Sequence, residues 1–201
     1  MHTEIEDAAL VLFKQYGVKS VSVDDIAQRA GVSKKLIYDL YETKDKLINA
    51  VLLNFYGEIR REIREIERQN LHPVISIVEI YAYLIREMSM LHPIFLHSIK
   101  KYFPSIADIY TRIQEKMITK SLLPLYQKAK DREIIREDVN IYLLMDLHKR
   151  HFDNVFSGDP RKGKPKDYDA MFRHIIINNL RGLLTKENYH ILDGELHLST
   201  A

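Results

Sequence analysis

Apolar residues recur every three or four positions along most of the chain, a period that predicts helices wherever it holds. Ile5, Ala8, Ala9, Leu12 and Phe13 make one apolar face near the amino terminus. Thr3 and Glu6 have the spacing of a capping box that would open this helix, and Gly17 would close it. Ser22-Val23-Asp24-Asp25 reads as a second capping box, opening a short helix that holds Ile26 and Ala27 and placing two acids at its positive end. Gly31 then supplies the positive φ of a sharp interhelical turn, Val32 faces inward, and Ser33 caps another short helix. On that helix Ile37 and Tyr41 share one face at i and i+4, which leaves Lys34, Lys35, Leu36, Tyr38, Asp39 and Leu40 on the other sides. Two helices and a glycine turn within sixteen residues, 26–41, are the layout of a helix-turn-helix, whose second helix fits a DNA major groove.

The pattern continues as longer helices. Thr43 caps a fourth one, with a stripe of Ile48, Val51, Phe55, Ile59, Ile63 and Ile66. Pro73 and Pro93 each sit where a proline can begin a helix; between them Val74, Ile77, Tyr81, Leu84, Met88 and Leu91 keep helical spacing. A short helix over 93–102 and a longer one from Ser105 to about Lys130 follow, the latter expected to kink at Pro124. Of the last two long helices, one carries Ile141, Leu144, Met145, His148, Phe152 and Val155, and the other Phe172, Ile175, Ile176, Asn179, Leu183 and Leu184. The glycine-, proline- and lysine-rich stretch 157–166 between them reads as a loop, with Arg161, Lys162, Lys164 and Lys166 as a solvated basic patch. The fold class is all-α: a three-helix helix-turn-helix domain over 1–47 and a second helical domain over 48–201.

Composition narrows the chemistry. The chain of 201 residues is 46% hydrophobic with seven glycines, which suits an all-helical protein, and it has no cysteine. Disulfides, thiolate zinc sites and thiol nucleophiles are thereby excluded. The polar, acidic start and the lack of any long apolar run predict a cytoplasmic protein without membrane association. Net charge is only +2, and residues 1–48 hold seven Lys or Arg against eight Asp or Glu. Attraction to nucleic acid must therefore come from placement, above all of Lys34, Lys35, Lys44 and Lys46. His148 and His151 share a helix face at i and i+3, and Glu187 and His190 have the Glu-x-x-His spacing of di-iron bundles, but each lacks the further ligands a metal needs. No phosphate loop, nucleophile elbow or carboxylate pair is present, so no catalytic residue, metal or cofactor is expected.

The run Ile5–Leu47 resembles the amino-terminal domain of the TetR family of transcriptional repressors. The landmarks are Ala8-Ala9-Leu10, Phe13, Gly17, Ser22-Val23, Ile26-Ala27, Ala30-Gly31-Val32-Ser33, Ile37-Tyr38, and Lys44 with Asp45 and Leu47. The chain departs from the pattern where Val21 replaces a threonine, Lys35 and Leu36 replace glycine and threonine, Leu40 replaces an aromatic or histidine, and Tyr41 replaces phenylalanine. An operator sequence is therefore not transferable from relatives.

The resemblance implies a homodimeric repressor of double-stranded DNA with a palindromic operator, released by a small-molecule effector of unknown identity. DNA contacts are expected from Ser22, Ser33, Lys34, Lys35, Leu36, Tyr38 and Lys44. It further implies an effector pocket, expected around Tyr81, Leu84, Met88, Phe95, Tyr110 and Met117, and a dimer interface on the last two helices, expected at Ile141, Met145, Phe152, Phe172, Ile176 and Leu183. Two alternatives stay open on the residues alone. One is a helical small-molecule- or metal-binding protein with a vestigial helix-turn-helix; the other is a helical-bundle enzyme.

Overall fold

A computed structural model describes residues 2–91, 93–155 and 167–193. The helices are α1 (His2–Tyr16), α2 (Val23–Ala30), α3 (Lys34–Tyr41), α4 (Lys44–Arg68), α5 (Pro73–Ser89), α6 (Pro93–Tyr102), α7 (Pro104–Asp131), α8 (Ile141–Val155), α9 (Tyr168–Phe172) and α10 (Asn178–Leu183). A π-helical segment, Arg173–Ile177, joins α9 to α10, and a 3₁₀ segment, Lys186–Leu192, follows. Among the described residues there is no strand, and no helix is long and apolar enough to cross a membrane. The side chains of Phe152 and Val155 and the expected loop 157–166, with its basic patch, lie outside the described residues.

Contacts divide the described residues into two units, one of 2–59 and 90–114, the other of 60–89, 115–155 and 167–193. In the first, Ile5, Ala9 and Phe13 of α1, Ile26 of α2, Ile37 of α3 and Ile48, Val51 and Phe55 of α4 are buried, as the periodicity predicts, and Leu47 is buried with them. Gly17 ends α1 at φ 77°, with its N–H on the Phe13 carbonyl at 2.9 Å. A Cβ there would meet Ile94 of α6 at 3.2–3.3 Å, so glycine is needed for both conformation and space.

The capping box expected at Thr3–Glu6 is not how α1 begins. The chain is helical from His2, and the Glu6 carboxylate instead accepts a hydrogen bond from the Tyr41 hydroxyl at 3.0 Å. A tertiary partner competes successfully for the acid that a local cap would have used. Val32, expected to face inward, is half-buried.

In the second unit α5 is buried on nearly every side, through Val74, Ile77, Val78, Ile80, Tyr81, Leu84, Ile85 and Met88. It packs against α9 and the π segment. Such a helix cannot be a two-faced surface element, and each large apolar side chain so buried contributes roughly 1.5–3 kcal/mol. α7 passes through Pro124 as one continuous helix.

The final helix departs from the expected register. Phe172 and Ile176 are buried as its inner face, but the face then continues through Ile177, Leu180 and Leu184 rather than Asn179 and Leu183. The π segment explains the slip: its wider turn inserts one residue, so every inward position beyond it moves on by one. The end of α10 is fastened by an antiparallel bridge between Ile135 and Leu184, with Arg136 N–H on the Leu183 carbonyl and Thr185 N–H on that of Ile134, both at 3.0 Å.

The residues expected at the dimer face are mostly covered within the chain itself. Ile141, Phe172 and Ile176 have 4%, 0% and 0% of their surface exposed and belong to the subunit's own core, while Met145 and Leu183 are half-buried. Periodicity identifies an apolar face without saying what covers it. Among the described side chains of α8, Tyr142, Leu143 and Leu147 are apolar and exposed.

Candidate nucleic-acid interface

The reading head is assembled from local caps. Ser22 N–H and Oγ–H both reach Asp25 Oδ2 at 2.7 Å, and Asp25 N–H returns to Ser22 Oγ at 3.1 Å, closing the capping box that opens α2. The Ser22 hydroxyl holds the Asp25 carboxyl below its usual range. Gly31 at φ 67° ends α2, and Val32 N–H bonds the Ala27 carbonyl at 3.0 Å across the turn. Ser33 Oγ then accepts from Leu36 N–H at 3.1 Å and opens α3.

Helix α3 buries Ile37 and Tyr41 and turns Lys34, Lys35, Tyr38 and Asp39 outward, with Leu36 and Leu40 half-exposed. Tyr41 fixes its rotation. Besides Glu6, its hydroxyl lies 3.3 Å from His2 Nδ1, and its ring meets the His2 ring edge-on at 5.6 Å. Burial, reinforced by the Glu6 carboxylate, pushes the Tyr41 hydroxyl well above the usual phenol range, so it stays a donor.

The exit from α3 is strained. Glu42 has φ 59° and ψ −45°, and Thr43 N–H reaches back to the Tyr41 carbonyl at 2.6 Å, a γ-turn in the left-handed region that disfavours a residue with a Cβ. This turn sets the angle at which α4 departs. Thr43 Oγ1 accepts from Lys46 N–H at 3.2 Å to cap α4, as the sequence predicts.

Of the expected contact residues, Lys35 and Tyr38 lie open to solvent. Lys34 is held by Asp24, Nζ to Oδ2 2.7 Å, an exposed pair that raises the lysine above its ordinary value and can be exchanged for phosphate. Ser22 and Ser33 spend their hydroxyl groups on capping. Lys44 is half-buried, donates to the Val18 carbonyl at 2.7 Å and is pushed below its ordinary range by burial. One of its three N–H bonds therefore serves the fold.

Sequence reasoning missed this last connection. The turn after α1 is clamped from two sides, since Val18 N–H donates to Ser98 Oγ of α6 at 2.9 Å while its carbonyl takes Lys44 of α4. Lys19 lies over the Tyr102 ring at 4.0 Å from the same turn. A buried serine on an otherwise apolar face of α6 was the available signal.

The six residues expected around an effector are all buried but fall in different units: Tyr81, Leu84, Met88 and Met117 in one, Phe95 and Tyr110 in the other. Tyr110 is committed to α4, its hydroxyl donating to the Asn49 carbonyl at 2.8 Å and its ring stacked on Tyr56 at 5.3 Å. Burial pushes the Tyr110 hydroxyl up to about 12. His148, weighed as a metal ligand, has Nδ1 on the Tyr81 hydroxyl at 2.6 Å and Nε2 on Asn179 Oδ1 at 3.3 Å. Among the described residues no three His, Asp or Glu side chains converge to hold a metal.

Two capped helices joined at a glycine, the second with an exposed cationic face, in an otherwise helical chain, define a helix-turn-helix transcriptional regulator that binds DNA. Residues 5–51 match the family model for bacterial regulatory proteins of the tetR family. The uncharacterised HTH-type transcriptional regulator YvaF of Bacillus subtilis (strain 168) is 33% identical over 147 residues, spanning 72% of this chain and 75% of that protein. The chain belongs to the TetR family. Among solved structures, the fatty acid degradation regulator FadR from Bacillus halodurans has a TM-score of 0.70 at 15% identity, covering 91% of this chain and 100% of that one. FadR from Bacillus subtilis, solved in complex with stearoyl-CoA, has a TM-score of 0.69 at 13% identity over the same shares.

Proposed function

We propose that this regulator acts in the cytoplasm as a homodimeric repressor on a palindromic operator, with residues 1–47 reading DNA and residues 48–201 carrying dimerisation and effector response. The observation that carries the reading is the exposed face of α3: Lys34, Lys35 and Tyr38 project from a helix whose ends are capped and whose rotation is pinned by Tyr41. Lys34, Lys35 and Leu36 approach base edges; Tyr38, Lys44 and the Ser22 and Ser33 caps line the phosphate backbone. One such helix offers few base contacts, and two held about 34–36 Å apart read successive major grooves. For the partner contact, the exposed Tyr142, Leu143 and Leu147 replace the core residues Ile141, Phe172 and Ile176, and the half-buried Met145 and Leu183 are kept.

Release by a small, largely apolar effector is supported by chain connectivity, because α4 begins at the strained turn after α3 and runs on into the second unit. The Ser98–Val18–Lys44 clamp adds a second handle, through which a shift of α6 or α4 moves the turn between α1 and α2. The stearoyl-CoA of the Bacillus subtilis FadR structure pairs a charged coenzyme A head with a long acyl chain, and that chain is the part in keeping with an apolar effector. A full switch from 1:99 to 99:1 needs an effector that binds the released form roughly 10⁴-fold more tightly.

Selection from random duplex DNA tests the reading directly. A two-fold symmetric consensus is the expected result, and no enrichment above input sinks it. On the selected site, Tyr38→Phe should weaken binding to all sequences alike, while Lys35→Ala should cost about 1–3 kcal/mol and relax one base position if its contact is to a base.

A further inference from the structure

Four elements of the second unit bring polar side chains into one place in an otherwise apolar interior. Tyr81 of α5, Tyr126 of α7 and His148 of α8 are 2%, 0% and 6% exposed, and Asn179 of α10 joins them from the surface. The Tyr81 hydroxyl and His148 Nδ1 are 2.6 Å apart, with their rings edge-on at 5.4 Å; the Tyr126 ring lies 6.4 Å from that of His148. Tyr126 is the member out of balance. Its hydroxyl stands beside that of Tyr81 without the geometry of a hydrogen bond and has no other partner. Native interiors rarely leave a hydroxyl so, because burying it unpaired is costly and a phenylalanine would fill the same volume at no such cost. Its helical neighbours Leu122 and Ala129, and those of Tyr81, Ile77 and Leu84, are buried apolar residues.

We infer that Tyr126, backed by Tyr81 and His148, is the polar end of a small-molecule site within the second unit, and that it takes an uncharged, carbonyl-bearing molecule with an otherwise apolar body, such as a ketone or an ester. The inference rests on the effector reading above and specifies its ligand. The Tyr126 O–H donates to the carbonyl oxygen. Tyr81 and His148 hold the donor in place: with Tyr81 O–H given to Nδ1, His148 donates Nε2–H to Asn179, and the chain of donors is complete without a charge. Burial keeps both phenols protonated and the imidazole neutral, so the cluster holds no cation to pair with a carboxylate or phosphate. An ionised fatty acid is thereby disfavoured against its methyl ketone.

The test uses the full chain, calorimetric titration with 2-hexanone, 2-nonanone, 2-tridecanone and nonanoate at neutral pH, and the variant Tyr126→Phe. At least one ketone should bind saturably and more tightly than nonanoate. Tyr126→Phe should weaken the ketone about tenfold, the worth of one buried hydrogen bond, while its unliganded melting temperature stays the same or rises. The carbonyl stretch of the bound ketone, read by infrared difference on the unmutated protein, should fall below its position in hydrocarbon solvent. This readout is independent of how the variant folds. No saturable ketone binding, equal binding by Tyr126→Phe, or a carbonyl stretch at the hydrocarbon position overturns the site. Operator affinity measured alongside separates the two readings: a ketone that binds through Tyr126 yet leaves DNA affinity unchanged defeats effector release and keeps the site, whereas release by nonanoate with the ketones silent does the reverse.

Discussion

The α2–α3 pair and the α9–α10 stretch are both short helices in series, yet they are specified in opposite ways. In α2–α3 every end is closed by its own residues: Ser22 with Asp25, Gly31 at φ 67°, Ser33 with Leu36, and Glu42, whose N–H bonds the Tyr38 carbonyl. Along α9–α10 only Asp167 caps, at the beginning, and the π segment and α10 start without any side-chain cap. Their register is set from outside, by burial of Phe172 and Ile176 and by the bridge of Leu184 to Ile135. A helix with local stop signals carries its own boundaries. A helix without them takes the register that packs best, here at the expense of one regular turn.

The sharpest way to break this comparison is to charge the two kinds of apolar position near the carboxyl end. Ile176→Glu puts a carboxylate where nothing is exposed and should cost about 4 kcal/mol or more, seen as loss of a cooperative urea transition. Leu143→Glu with Leu147→Glu, at positions 55% and 54% exposed, should leave the fold intact within about 1 kcal/mol and convert the proposed dimer to a monomer in sedimentation. A folded Ile176→Glu dimer contradicts the observed register, and a dimeric double variant contradicts the proposed interface.

Glycine replacement gives the next largest effect and separates local from tertiary constraint. Gly31→Ala meets no neighbour within 4 Å and pays only for its left-handed backbone, about 1–2 kcal/mol. Gly17→Ala adds the collision with Ile94 and should cost about 2–3 kcal/mol in denaturant unfolding. The reverse order would mean that α6 does not hold the turn as described.

A smaller effect tests the second unit through pH. Burial, with His151 adding repulsion, holds His148 below its ordinary value, against the opposing pull of Asn179. The unfolded chain takes up a proton near pH 6.5 that the folded chain refuses, so the stability is full above that pH and falls as the pH drops below it. The slope from this one group is at most about 1.4 kcal/mol per pH unit and flattens below the folded value. His72 is lowered too, by burial with Arg132 and His190 nearby, and adds in the same direction. His148→Gln should therefore reduce the slope of urea stability against pH between about pH 5 and 6.5 without abolishing it; an unchanged slope means that His148 is not buried neutral.

The smallest expected change lies at the γ-turn. Glu42→Gly relieves the positive φ but adds backbone entropy to the unfolded chain and removes the exposed ion pair with Lys46, for a net gain of about 0.5 kcal/mol. Thermal melting of the single variant checks the sign.

The amino-terminal elements were legible in the sequence because their determinants are close along the chain: serines at N-caps, acids three residues on, glycines at left-handed turns, and apolar pairs at i and i+4. These interactions form within a turn or two of helix and are indifferent to what packs on top. The same local character made the reading head visible, since its exposed residues are what remains when Ile37 and Tyr41 are assigned inward.

Tertiary structure alone decided matters that depend on partners distant along the chain. Glu6 chose Tyr41 over a capping role, 35 residues away, and Lys44 and Ser98 met at Val18 from helices that no spacing relates. It decided that Ile141, Phe172 and Ile176 are core and that Leu143 and Leu147 are surface, because an apolar stripe is equally satisfied by its own domain or by a partner. It also brought Tyr81, Tyr126 and His148 together from three helices. Helical periodicity orders residues around one axis, and only the packing of several axes determines which of those residues share a neighbourhood.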